Sequence, residues 1–162
     1  MATAVQKQQC PACNGRRLVQ NGKGQVQTCP LCDGSGSVTP QPIRVPFDYP
    51  INFAALVGSS ANNTASIQFD RDAPFEWVWA VATETGTFSS RMEDGATGRK
   101  FDSDFVNNAN RFGTAQLPFP LVEPYIFAPG TTCNFTINET STNTNTIQIV
   151  LKGYKLYPAA TS

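Results

Sequence analysis

The chain has 162 residues, no histidine, and equal numbers of basic and acidic side chains, 12 of each. Without histidine there is no ordinary general base near neutral pH and no Cys–His or Ser–His pair, which sets aside the commonest hydrolase chemistries. Charged residues make up only 15% of the chain, against about 25% in typical soluble domains. Asn, Thr, Ser and Gln supply the remaining polarity, a composition that suits all-β surfaces packed against copies of themselves.

Residues 1–9 lack the apolar core of a secretory signal, and no stretch approaches the ~20 apolar residues of a membrane-spanning helix. Synthesis in a reducing cytoplasm is expected, where thiols bind metals rather than pair as disulfides. The next segment reads Cys10-Pro-Ala-Cys13-Asn-Gly15 and then Cys29-Pro-Leu-Cys32-Asp-Gly34-Ser-Gly36. Two C-x-x-C pairs at this separation match the ribbon-type zinc pattern. Each tight turn sets two sulfurs on one side of a loop, so two loops close a tetrahedron. Gly15 and Gly34 fall where the chain must turn back under the metal, a place for positive φ. The expectation is one structural Zn2+ per chain held by Cys10, Cys13, Cys29 and Cys32. Four thiolates leave no open position for a reacting water. Iron fits the same ligands; zinc is expected because no redox partner is in sight.

Charge divides unevenly. Residues 1–45 carry Lys7, Arg16, Arg17, Lys23 and Arg44 against Asp33, a net +4, and the remainder carries −4. Four thiolates and a divalent ion add −2 to the basic segment, which weakens the case for phosphate binding. Residues 39–46, with Pro40, Pro42 and Pro46, read as a stiff extended linker arm. The organisation expected is a zinc-knuckle module over 1–38, the arm over 39–46 and a β-sandwich over 47–162.

Beyond the arm the pattern is β throughout. An apolar run covers 51–57, and 65–69 alternates through Ile67 and Phe69. The segment 75–82 is the most aromatic, with Trp77 and Trp79 expected on one face. Residues 86–92 follow, then a polar loop over 94–100. The stretch 102–111 is a weak helical candidate capped by Asp102 or Ser103, with Phe101, Phe105 and Phe112 as core contacts. Strands are expected at 125–127, at 133–138 through Phe135 and Ile137, and at 146–156. In that last strand Ile147, Ile149 and Leu151 are predicted to be buried, with the alternation continuing through Tyr154 and Leu156 beyond Gly153. The strand is predicted to lie centrally in its sheet, with Gly153 at a bulge or close contact. Cys133 is read as a small buried apolar group. Turn signals such as Gly58-Ser-Ser and Ala128-Pro-Gly130 separate seven or eight short strands, the signature of a sandwich or jelly roll.

The cysteine segment resembles the zinc module of DnaJ-type chaperones, whose repeat is C-x-x-C-x-G-x-G. Residues 29–36 match one repeat in full, while residues 10–17 lack its second glycine. The resemblance implies a pair of zinc knuckles and not chaperone activity, because the J-domain is missing. The larger part resembles small tailed-phage virion proteins. That likeness rests on Pro124-Tyr-Ile-Phe-Ala-Pro-Gly130 with the polar strand to Asn138, on Asp70-Arg-Asp-Ala-Pro-Phe-Glu-Trp77, and on Asn145-Thr-Ile-Gln-Ile-Val-Leu-Lys-Gly-Tyr-Lys-Leu-Tyr157. It implies a decoration, cement or minor capsid protein on the capsid surface. Such proteins are often homotrimers that clamp neighbouring major capsid protein subunits.

Three other readings stand beside this one. A tail or fibre protein would recognise glycans or a receptor by stacking Trp77, Trp79 or Tyr157 on sugars. A nucleic-acid-binding zinc ribbon would use Arg16, Arg17 and Lys23, although these lack the interleaved aromatics that single-strand binding needs. An enzyme would have to draw on Glu93 and Asp94 or on Asp102 and Asp104, in loops with no evident pocket. The chain is expected not to be an enzyme.

Overall fold

Short polar strands joined by glycine-bearing turns build the first part of the molecule, and long alternating strands build the second. The computed structural model describes residues 7–38, 41–56, 62–113 and 117–159, with one compact unit running to Ile43 and another spanning Arg44–Tyr157. In the first unit, β1 (Gln8–Gln9) and β4 (Ser37–Val38) pair antiparallel, as do β2 (Leu18–Gln20) and β3 (Val26–Thr28). Asn21 closes the β2–β3 hairpin. Its side-chain oxygen accepts from the Lys23 and Gln25 amides at 2.9 and 3.0 Å, which mimics a backbone turn.

The second unit is an all-β sandwich. Its longer strands are β5 (Ile43–Leu56), β6 (Asn62–Gln68), β7 (Phe75–Glu84) and β8 (Phe88–Asp94), then β10 (Phe119–Phe127), β11 (Thr132–Glu139) and β12 (Asn145–Tyr157). Between β8 and β10 lie the short β9 (Val106–Asn107) and a single helical turn, α1 (Asn108–Arg111). One sheet has the order β10-β7-β12-β5 and the other β6-β11-β8-β9. Strands β5·β12, β6·β11, β7·β10 and β8·β9 therefore pair as nested partners. A long hairpin folded between β8 and β9 and then rolled gives that pairing, and it is the jelly-roll arrangement. No described helix is long and apolar enough to cross a membrane.

Alternation explains the core. Along β11 and β12 every second residue is buried, so Cys133, Phe135 and Ile137 face Ile147, Ile149 and Leu151 across the sandwich. An aromatic chain closes one end: Phe69 stacks on Phe127 with centroids 4.4 Å apart, and Tyr49 meets Phe69 and Phe75 edge-on at 4.9 and 4.8 Å. Such pairs add about 0.5–1.5 kcal/mol each beyond the area they bury. As expected, β12 sits between β7 and β5 and buries Ile147, Ile149 and Leu151.

Four details depart from the sequence reading. Strand β5 begins at Ile43, within the span read as a linker arm. It is a sheet edge, where proline's missing N–H costs no ladder bond. All prolines inside strands of this sheet, Pro46, Pro50, Pro120 and Pro124, lie on its edge strands β5 and β10. Trp77 and Trp79 do not share a face, because the register slips where Trp79 and Trp77 oppose Lys152 and Gly153. Gly153 permits the slip, since a Cβ there would sit 1.9 Å from the Glu76 carbonyl oxygen. Beyond Gly153 the buried side chain is Lys155, not Tyr154 or Leu156. Finally, α1 is capped by Asn107, whose side chain accepts from the Ala109 amide. Asp102 instead accepts from the Met92 amide and pairs with Arg111.

Candidate metal centre

The four cysteines are the core of the first unit. Cys10, Cys13, Cys29 and Cys32 are all buried, and among the described residues Val19 and Val38 are the apolar neighbours packed against them. The Cys10–Cys29 and Cys13–Cys32 sulfurs are each 3.7 Å apart, and all four lie within 4.8 Å of one another. A disulfide requires about 2.05 Å. A tetrahedron with metal–sulfur arms of about 2.3 Å has edges of about 3.8 Å. The observed spacing is that of a metal cage, and the donor set fits a thiophilic ion.

The two knuckles are copies of one another, displaced by 19 residues. Their backbones turn alike: Asn14 and Gly15 have φ of 46° and 74°, Asp33 and Gly34 have 47° and 73°. Each knuckle closes the same turn, Arg16 N to Cys13 O at 2.8 Å and Ser35 N to Cys32 O at 2.9 Å. Each also grips the other, Cys10 N to Gly36 O at 3.0 Å and Cys29 N to Arg17 O at 2.9 Å. The pairing of Gln8 with Val38 corresponds to that of Gln27 with Val19. The result is a pseudo-twofold knot with the metal site at its centre. Position 17 breaks the likeness: Arg17 holds φ of 68° where the second knuckle has Gly36 at 78°.

Protonation reflects the enclosure. Burial pushes the Cys10 thiol up to about 11, against opposing hydrogen bonds from the Ala12 and Cys13 amides. Burial acts the same way on Cys32, but the Gly36 amide and the neighbouring thiols outweigh it and bring that group down to about 7. A bound cation would hold all four as thiolates, and the sphere would then be full. The arrangement can hold a structure together; it offers a substrate no coordination position.

Of the other sequence candidates, Glu93 and Asp102 line one cleft of the jelly roll, and the rest are not gathered into a site. Trp77 is buried, and its indole N–H donates to the Trp79 carbonyl at 2.8 Å. Tyr157 donates its hydroxyl to Asp72 at 2.6 Å. Asp94 accepts from the Tyr125 hydroxyl and the Ala96 amide, and Asp104 accepts from the Phe105 amide. Cys133 is fully buried, and desolvation drives its thiol far above the usual range, which makes it inert. Arg16, Arg17 and Lys23 are exposed on the metal unit with no aromatic side chain in residues 1–43. What the sequence reading missed on this unit is apolar: Leu18, Val26 and Leu31 are 52%, 63% and 57% exposed. Comparison with known protein families, with characterised proteins and with solved structures returned no match.

Proposed function

We propose that this chain is a structural virion protein that decorates a tailed-phage capsid. In this reading the jelly roll forms a homotrimer and the zinc-stapled module grips a neighbouring major capsid protein subunit. The observation that carries the reading is the apolar exterior of the metal unit. In the β2–β3 hairpin, Val19 faces the cysteines, which leaves Leu18 and Val26 on the opposite face. A four-thiolate knot gives that face a rigid scaffold, with folding energy on the order of 10 kcal/mol from the metal. Apolar side chains on a preformed surface are what a protein partner buries. The jelly roll adds support, because viral capsid proteins are among the domains built on it. The low charge of the chain suits contact between copies.

Light scattering on chromatographed protein, coupled to metal analysis, is expected to show a trimer with one zinc per chain. Co-sedimentation with capsids assembled from major capsid protein is expected to retain the chain. The Leu18→Ser/Val26→Ser double variant should lose roughly tenfold or more in affinity, about 1.4 kcal/mol, while keeping its zinc. A stable monomer that leaves capsids unbound would sink the proposal.

A further inference from the structure

The strand order leaves one face of the sheet β6-β11-β8-β9 open, and that face is polar. Strand β11 presents Asn134 and Thr136 outward, opposite Glu93 and Arg91 of β8. Beyond β8 the chain turns at Asp94–Arg99 and runs back beside it, with Glu93 opposite Lys100 and the Phe101 amide bonded to the Met92 carbonyl. This return breaks off at Asp102, and β9 resumes the pairing at Val106. The gap between these two points is walled by Asp102 and Ser103, and it opens a cleft of about 290 Å³ over Arg91, Glu93, Lys100, Asn134 and Thr136.

Side-chain pairing sets this cleft apart from its surroundings. Elsewhere in the sandwich most carboxylates are tied to a partner, Asp48 to Lys152, Glu76 to Arg44, Asp70 and Asp72 to Lys155, Glu84 to Asn108 and Glu139 to Asn145, while Glu123 on β10 is exposed without one among the described residues. Asp102, at the cleft wall, is neutralised by Arg111. Among the described residues, Glu93 and Lys100 have no side-chain hydrogen bond or ion pair. Arg91 is engaged only through its guanidinium, which lies 4.4 Å from the Phe105 ring centroid. Asn134 uses its oxygen to accept from Ser66 at 2.8 Å, which leaves its amide N–H groups for the cleft. The uncommitted charges are then two positive and one negative.

We infer that this cleft binds an acidic sugar residue. A planar guanidinium fixed on an aromatic ring and a nearby ammonium suit a carboxylate. Glu93 can only accept hydrogen bonds when ionised, so it selects against a bare anion and for a ligand that also carries hydroxyls. Thr136, Ser103 and the Asn134 amide complete a set for ring hydroxyls. The volume lies at the floor of the range for small-molecule sites, which limits the occupant to a single ring. The inference goes beyond the capsid reading and does not depend on it.

The test uses the full zinc-loaded chain, observed through backbone amide resonances during titration with methyl glucuronide, methyl glucoside and sulfate. The glucuronide is expected to shift the amides of residues 91–93, 100–103 and 134–136 saturably, with an affinity of roughly 1 mM. The glucoside should bind roughly tenfold more weakly, and Arg91→Gln should remove about the same factor for the glucuronide alone. Equal response to sulfate, equal affinity for both glycosides, or no saturable shift at these residues would each overturn the inference.

Discussion

The metal unit and the jelly roll differ in what lies at the centre of each. The first is organised around four sulfurs with two valines against them, and its strands are two or three residues long. The second buries, among the described residues, twenty side chains in one cluster, nine of them Phe, Tyr or Trp. A segment of about forty residues can bury little apolar surface to hold itself together, and a cage of four sulfurs that can hold a metal ion stands where that core would be. The exchange has a corollary. Because the valines needed inside are few, Leu18, Val26 and Leu31 stay on the surface; the jelly roll, with its large buried cluster, also leaves Val45, Leu117, Val122 and Ile126 exposed. The difference is that the small unit exposes such side chains without an apolar core of its own beneath them.

Metal removal separates the two units most sharply. Chelation, or Cys29→Ser, should unfold the cysteine unit outright, a loss on the order of 10 kcal/mol, while the jelly roll keeps its melting temperature. Amide resonances of residues 8–38 should collapse to random-coil positions while those of 62–113 stay dispersed. Loss of both sets together would mean that the units fold as one.

A smaller effect on the jelly roll alone is expected from Lys155→Met. Lys155 is buried, donates to Asp70 at 2.7 Å and to Asp72 at 3.0 Å, and lies 4.2 Å from the Phe47 ring centroid. Tyr49 and Tyr157 hydrogen-bond to the same two carboxylates. The substitution should cost about 2 kcal/mol near neutral pH, the scale of hydrogen bonds to a charged group. The hydrogen bond from Lys155 lowers the pKa of Asp70, and those from Tyr157 and Lys155 lower that of Asp72. Their contribution is therefore present above about pH 4 and fades as pH falls further. Burial alone would lower the pKa of Lys155, but the two carboxylates raise it, so its contribution holds below about pH 10.4 and is lost as pH rises through the raised value. Urea midpoints of the two proteins should differ most between these limits and converge outside them. A constant difference would assign the effect to packing against Phe47.

The smallest change expected is a gain. Arg17 occupies the left-handed region that Gly36 occupies in the other knuckle, and a side chain there costs on the order of 1 kcal/mol. Arg17→Gly should strengthen the metal unit by up to about that amount, measured as slower zinc transfer to a competing chelator. Faster transfer would show that the Arg17 side chain contributes more than its backbone strain costs.

These contrasts bear on what could be read from residues alone. The cage was legible because spacing and chemistry suffice: C-x-x-C twice, with glycine two positions on, leaves few other closures. Strand β12 was legible because its alternation runs unbroken from Ile147 to Leu151. Where the reading failed, the deciding contact was distant in sequence. Trp79 turns outward because of Gly153 on another strand, and Lys155 can be buried only because Asp70 and Asp72 come to meet it. The start of β5 was hidden by its prolines, which signal a linker unless one knows that the strand will be a sheet edge. Of the polar cleft, the residues alone offered Glu93 and Asp102 as acids in separate loops; that they share one cleft was hidden, since its lining comes from β8, β11 and a loop that the topology folds together.

The position of β12 also sets an order of events during synthesis. It comes last of the eight strands, yet it lies between β7 and β5, so neither can complete its pairing until residues 145–157 have left the ribosome. Until then β7 and β5 carry open edges, the condition in which nascent β chains associate wrongly. The cysteine unit has no such wait, because its last ligand, Cys32, is made more than a hundred residues earlier. One end of the chain can therefore be loaded with metal and finished while the other is still searching for its final strand.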